Sequence, residues 1–415
     1  MRYNITMMKN TKIAIIGGGA SGLFCATLCS RKITDVVLLE RGDRLGKKLS
    51  STGNGQGNVT NVNFGVEHYF TFHSADRRKI ESVLNHANDQ DMISFLESLG
   101  GLFESDDRGR VYPTGRQASA VTDLLRFQLE EKGVGARLST KVIEIKREKN
   151  GFVLTLETPD GQEKLFAEIV VLASGGKAAK NFGTDGSAYS LAKTFSHTVT
   201  PLYPALVQIK TETKDIKMLK GIRAYNALVR AYDKHTLLKE VQGDVIFTEY
   251  GVSGDAIFRL SSYLTEIAEQ GNASLSIDLL PNVTLDKLKE VLRQKSKTGK
   301  PYGELLCGIL NNQVGRAVMK RSNDLESAAD IAKNFTLAVT GTLGFDYAQV
   351  TKGGIPLSET DESLQSNYQK DLYFIGEILD VDGECGGYNL QWAYSSAKTV
   401  ADAILQKEGK ARGQV

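Results

Sequence analysis

The stretch KIAIIGGGASGLFCATLCSRKITDVVLLERG, beginning at Lys12, restricts the fold more than any other part of the chain. Ile13–Ile16 and Val36–Glu40 are short apolar runs closed by glycine or an acid, the pattern of strands buried in a parallel sheet, and the residues between them read as one helix. At the first strand-to-helix junction Gly17, Gly19 and Gly22 form GxGxxG. Gly17 permits the tight turn, Gly19 lets the backbone approach a pyrophosphate, and Gly22 allows helix and strand to pack closely. Ala20 and Ser21 open the helix, whose free N–H groups and positive dipole end face the phosphates. Glu40 closes the second strand about twenty residues on, where a carboxylate accepts hydrogen bonds from a ribose hydroxyl. Strand, spacing, helix and acid agree, so the unit is built to hold an ADP moiety rather than to make a turn for packing alone. NAD and FAD both contain one.

The choice comes from three distant segments. Lys47 and Lys48 start a polar Gly/Asn loop that continues through Gly53, Gly55, Gln56, Gly57 and Asn58 to Asn61, where lysines can neutralise phosphate and backbone can lie against a flat ring. Ile169–Leu172 is a buried strand that ends at small residues, Ala173, Gly175 and Gly176, and resembles the return strand of flavoproteins of the two-dinucleotide-binding type. The third segment runs from Leu372 through Gly376, Glu377 and Asp382 to Gly386, Gly387, Tyr388, Asn389 and Leu390. There a strand delivers an acid to the ribityl or pyrophosphate region. The Gly-Gly turn then opens a helix whose positive end suits the charge that reduced flavin gathers. Arg41 and Val142 complete the expected cofactor-binding set, and the cofactor implied is FAD, held without a covalent bond.

A length of 415 residues suggests two or three domains. Ser74 and Asn88 are candidate caps of two short helices, Gln117–Lys132 reads as an amphipathic helix stopped by Gly133, and 141–145, 152–157 and 164–173 as a meander turning at Pro159-Asp160-Gly161. From about 195 to 345 the pattern changes to strand-like pieces (205–209, 227–232, 274–278, 335–340) around helices between 253 and 333; the last seventy residues return to the first style. The expectation is an α/β fold with a discontinuous Rossmann-like FAD domain, 1–194 and 346–415, interrupted by an insert at 195–345.

Charge and cysteine usage exclude several classes. Fifty-one basic against forty-nine acidic residues give +2, too little to demand a nucleic-acid partner. Basic residues do cluster in the first eighty positions, which suits a solvated face plus phosphate neutralisation. Cys25, Cys29, Cys307 and Cys385 show neither CxxC nor metal spacing, so no disulfide framework or metal site is expected and a cytoplasmic location fits. The first twelve residues are polar and no later run reaches about 18 apolar residues, so neither a signal peptide nor a membrane span is expected. Met7 or Met8 is an alternative start. The five histidines are scattered without spacing, and none is assigned a role.

GGGASG, KKLSSTGNGQGNVTN, GRVYPTGRQA, ASGG, PALVQI, FTEYGVSGDAI, GTLGFDYAQVTKGG and GEILDVDGECGGYNLQWAYSSA together span nearly the whole chain. In these strings the sequence resembles the BaiN-like flavoproteins, the aminoacetone-oxidase-type FAD-binding enzymes. The family's loop usually reads GNGRCN; Gln56 and Gly57 stand here for its arginine and cysteine, so roles of those two side chains are not carried over. The resemblance implies an insert made of a small β-barrel and a helical piece. It also implies one of three activities: NAD(P)H-dependent reduction of steroid-type enones, dihydrouridine formation in ribosomal RNA, or amine oxidation by O2. All three exchange hydride at flavin N5. The partner is accordingly a small molecule or ribosomal RNA, with no membrane, and no oligomeric state is specified.

No second GxGxxG unit and no CxxxxC are present, so a nicotinamide donor would bind transiently at the flavin. Reduction of a conjugated double bond needs a proton as well as a hydride. Cys385 and Tyr388, with Tyr112 and Glu384 behind them, are the candidate donors. Arg259, Lys287, Lys289, Arg293, Lys295, Lys297, Lys300, Arg316, Lys320 and Arg321 decorate the insert among acids, as exposed helix faces or as an RNA-facing surface.

Overall fold

The computed structural model describes residues 9–412, so the alternative starts at Met7 and Met8 lie outside the described residues. The chain divides into two compact units, one formed by residues up to Leu202 and from Val350 onward, the other by Tyr203–Gln349.

The first unit is built on one sheet. Strand Lys9–Ile16 lies parallel between Val36–Leu39 and Gly161–Leu172, and Val36–Leu39 carries Gly135–Arg137 on its far side. Gly161–Leu172 serves two neighbours on its other edge. Its first half pairs antiparallel with Gly151–Thr158 of the meander, and its last residues, Val170–Leu172, pair parallel with Leu372–Phe374. One strand therefore brings the end of the chain back beside its beginning. The all-apolar runs of the sequence follow from this, because Ile13, Ile15, Leu38, Val170 and Leu172 are fully buried with a neighbour on each side.

Helix Ala20–Cys29 packs on the closing helix Tyr388–Arg412, with the rings of Phe24 and Tyr394 edge-to-face at 5.4 Å. Asn88 caps helix Asp89–Glu97 in a reciprocal box with Asp91, as its position foretells. Ser74 does not cap a helix. It opens a short 3-10 turn, Ser74–Asp76, and the helix begins at Arg77.

In the second unit Ile209–Thr211, Gly251–Ser253, Thr236–Phe247, Arg223–Asp233, Ala273–Asp278 and Phe335–Thr342 close into a barrel. Helix Asp255–Glu269 and the helices Leu285–Ser296, Asn312–Arg321 and Leu325–Lys333 share its apolar core. The unit runs 203–349 where the sequence suggests 195–345. Phe195, Val199 and Leu202 pack on the first core, while Gln349 donates its N–H to the Leu206 carbonyl at 3.1 Å. Strand Thr236–Phe247 escapes a reading of the sequence because its inward alternation starts only at Val241.

Candidate active site

The phosphate turn is a crowded backbone crossing with one open position. Gly17 has φ +112°, and a Cβ there would lie 2.8 Å from Ser174 Cα; a Cβ at Gly22 would overlap the Gly17 carbonyl oxygen. At Gly19 a Cβ would meet no atom within 4 Å. Its space is open, at the start of a helix with no side-chain cap on its first turn. Against Gly17, Ser174 Oγ, two residues past the return strand, is buried without a hydrogen-bond partner. An open cradle, uncapped helix N–H groups and an orphaned hydroxyl fit an anionic diphosphate and its sugar.

Glu40 is held in place by backbone. Its Oε2 accepts from Gly18 N at 2.7 Å and its Oε1 from Gly42 N at 2.6 Å, and each oxygen keeps a lone pair for a ribose hydroxyl. Ser139 N and Thr140 N donate to the Gly42 and Glu40 carbonyls, which brings the strand carrying buried Val142 alongside this acid. The nearby cations are already paired: Arg41 with Asp185 at 2.9 Å, and Lys47 with Asp43 at 2.5 Å. Lys48 Nζ donates to Glu377 Oε2 at 2.6 Å, and Glu377 Oε1 accepts from Thr351 N at 2.9 Å. Two candidate residues 329 positions apart thus meet as an ion pair.

The polar loop and the Gly-Gly turn also meet. A Cβ on Gly387 would stand 2.8 Å from Thr60 Cα, Asn61 Nδ2 donates to the Gly386 carbonyl at 3.0 Å, and Thr60 Oγ1 to Gln391 Oε1 at 2.6 Å. Asn389 brackets the turn, accepting from Gly383 N at 2.9 Å and donating to the Gly383 carbonyl at 2.7 Å. Within the loop Asn58 is buried and donates to the Thr60 and Val111 carbonyls, while Gly53 and Gly55 bend it at positive φ and Gln56 is exposed. Gly57 has φ +80° and its Cβ would press Ala118 Cα at 2.8 Å, so a cysteine at this position requires a different backbone. Trp392 is core, its indole N–H bonded to the Gly376 carbonyl at 3.1 Å.

The four candidate proton donors fall into two pairs. Burial raises the Tyr112 phenol, nearby Cys385 adds to the shift, and Arg116 lies over the Tyr112 ring at 4.1 Å. Tyr388 is buried, with its hydroxyl donating to the Asn63 carbonyl at 3.1 Å. Glu384 binds His68 Nδ1 at 3.1 Å, and the His68 ring stacks on Tyr388 at 4.3 Å between centroids. Sequence reasoning passes over His68 because its partners lie more than three hundred residues away. Asp380, four residues before Glu384, is fully buried; Oδ2 accepts from Thr71 Oγ1 and Phe72 N, Oδ1 has no partner, and burial pushes the carboxyl up to about 6.

On the second unit most of the named cations are tied to acids: Arg293 and Lys289 to Glu326, Arg316 to Glu304, Arg321 to Asp215 and Lys287 to Glu290. Among the described residues no group of three His, Cys, Asp or Glu is placed to hold a metal, and no helix is long and apolar enough to cross a membrane.

Three comparisons bear on this arrangement. The family described as HI0933-like protein Rossmann domain matches residues 11–403. A 3-dehydro-bile acid delta(4,6)-reductase of Clostridium scindens is 33% identical over 95% of this chain and 99% of its own, and a ribosomal RNA dihydrouridine synthase of Haemophilus influenzae is 29% identical over 97% and 100%. Among solved structures, 3-ketosteroid delta1-dehydrogenase from Sterolibacterium denitrificans shares the fold, with TM-score 0.54, 12% identity and coverage of 96% and 100%.

Proposed function

The chain belongs to the HI0933-like Rossmann family and is an FAD-dependent oxidoreductase, and from that premise we propose that it uses NAD(P)H to reduce a conjugated carbon–carbon double bond in a small molecule. The observation that carries the reading is end-to-end similarity, at 33% identity, to a protein named as a delta(4,6)-reductase. When bound, FAD supplies a carrier that accepts hydride from one substrate and returns it to another. The residues that would hold it are the Gly17–Gly22 turn and the helix behind it, Glu40 at the ribose, Ser174 and Gly175 at the return strand, Glu377 with Lys48, and the joined Asn58–Asn61 and Gly386–Leu390 segments. The N-terminus of helix Tyr388–Arg412 favours negative charge, which lowers the cost of the reduced state.

The sequence holds no second dinucleotide turn, so the nicotinamide donor binds transiently, and the four cysteines, none of them in a disulfide among the described residues, suit a reducing cytoplasm. Anaerobic addition of NADH or NADPH should bleach the flavin, and an enone should restore its colour with one saturated product per flavin. Failure of both donors to bleach would reject the reading and turn attention to oxidation of an amine by O2.

A second reading, dihydrouridine synthesis on ribosomal RNA, is supported by the match over the full length of the Haemophilus influenzae relative. The pairing of Lys289, Arg293 and Arg321 with acids weakens it, while Lys297, Lys300 and Lys320 are exposed and stand in no such pair, and a surface that binds phosphates needs cations left over. Loss of one dihydrouridine from ribosomal RNA on deletion of the gene would establish it.

A further inference from the structure

We propose that His68, oriented by Glu384, is the residue that gives the proton in double-bond reduction, an inference that rests on the reductase reading above. His68 ends the short turn Val66–His68 and leads into a strand, Tyr69–Phe70, that pairs with Asp382–Gly383. The pairing carries Glu384 to it: Glu384 N donates to the His68 carbonyl at 2.8 Å, and the Glu384 carboxylate faces Nδ1 at 3.1 Å. A carboxylate only accepts, so the proton of the neutral ring sits on Nδ1 and Nε2 is the exchanging atom. Tyr388, immediately after the Gly386-Gly387 turn, clamps the ring by stacking at 4.3 Å and 18°.

The dyad is half open, with the His68 side chain 25% exposed and that of Glu384 9%. The charged or titratable groups around it are Glu67, whose Oε1 lies 3.8 Å from Nε2 and so makes no hydrogen bond, Glu384 and Tyr388 from the C-terminal segment, Tyr69, and Arg77, whose guanidinium bonds the Val66 carbonyl. Nε2 is therefore free of a close partner on its own turn, while the Tyr388 hydroxyl is spent on the Asn63 carbonyl.

The β-carbon of the double bond takes a hydride from the reduced cofactor, and the π pair bonds at the α-carbon to the proton that leaves Nε2 of the imidazolium. Two electrons pass to the substrate, both new bonds are C–H, and the imidazole is left neutral, to be reprotonated from solvent. His68 is the catalytic residue and Glu384 a positioning residue.

Enzyme reduced with dithionite and mixed anaerobically with a 3-oxo-4-ene steroid tests this. His68→Ala and His68→Gln should be reoxidised about 10²-fold or more slowly than wild type. Added imidazole should restore rate to His68→Ala and not to His68→Gln, which retains a side chain in the space. In ¹⁵N spectra of the protein without cofactor, His68 should carry its neutral-state proton on Nδ1, and Glu384→Leu, which removes the acceptor, should abolish that preference. Wild-type turnover with both His68 variants at the wild-type rate, or slowed without imidazole rescue, would overturn the assignment alone. Failure of the wild type to be reoxidised would overturn the reductase reading and this proposal with it. If His68→Ala does not bind FAD, the His68→Gln rate and the ¹⁵N tautomer decide.

Discussion

Replacing Gly19 and Gly22 by alanine, one at a time, separates the two jobs that glycines do in the phosphate turn. A Cβ at Gly22 overlaps the Gly17 carbonyl oxygen, and the next atoms, Gly17 C at 3.1 Å and Ala173 Cβ at 3.4 Å, leave it nowhere to move. Overpacking of this kind costs about 1–3 kcal/mol, and a clash with backbone belongs at the upper end. Gly19 is different. Its φ of −79° and ψ of −166° suit any residue, and its Cβ meets nothing within 4 Å, so the protein without cofactor should lose less than about 0.5 kcal/mol. The new methyl instead occupies the space through which a phosphate reaches the helix N–H groups. Losing one charged hydrogen bond of about 1.5–3 kcal/mol weakens FAD binding by about 10- to 100-fold. The single tryptophan, Trp392, is buried in the first unit against Gly376, so its fluorescence in a denaturant titration reads that unit alone. FAD affinity follows from quenching of flavin fluorescence on binding. Wild-type FAD binding by Gly19→Ala, or an apo-protein that it unfolds as readily as Gly22→Ala does, would refute this division of roles.

Three further outcomes follow from named groups. Burial holds the Asp380 carboxyl at about 6, so its neutral form belongs to the fold; stability from it is full below about pH 4 and is lost as pH rises through about 6. Asp380→Asn should therefore stabilise the first unit by up to about 3 kcal/mol at pH 8 and by nearly nothing at pH 4, measured by the Trp392 titration at each pH; a pH-independent difference would contradict this. His197 is enclosed between Glu359, at 2.9 Å from Nδ1, and Ser366, at 2.7 Å from Nε2, and burial holds its imidazole below the ordinary histidine value despite the opposing pull of Glu359. Its stabilising contribution is complete above about 6.5 and disappears as pH falls below that, so His197→Gln should flatten the acid side of the stability curve, and an unchanged acid limb would count against the neutral buried ring. Gly57→Cys, which restores the family's residue, should cost about 1–3 kcal/mol because of the positive φ and the contact with Ala118; a neutral substitution would show that this loop relaxes freely.

What was legible in the sequence was whatever is local and periodic. The strand-turn-helix-strand at Lys12–Glu40, the meander and the Gly-Gly turn each carry their signal within a few residues, because buried parallel strands must be apolar throughout and backbone crossings must be glycine. That the three segments converge on one site was inferable from their chemistry, and the Thr60–Gln391 and Lys48–Glu377 contacts are its physical form. Strand Thr236–Phe247 was not legible, since its inward alternation starts only at Val241 and Thr236–Glu240 carry none. The His68–Glu384–Tyr388 cluster was not legible either: a histidine without nearby ligands carries no spacing signal, and only the pairing of Tyr69–Phe70 with Asp382–Gly383 brings it to Glu384.

If these distant segments together hold one FAD, releasing the chromophore shows it most directly. Heat or acid denaturation of the purified protein should liberate FAD, equimolar with the chain and with none left attached to the polypeptide. A protein that carries no flavin and takes up none when FAD is added, or that releases FMN, would contradict the account.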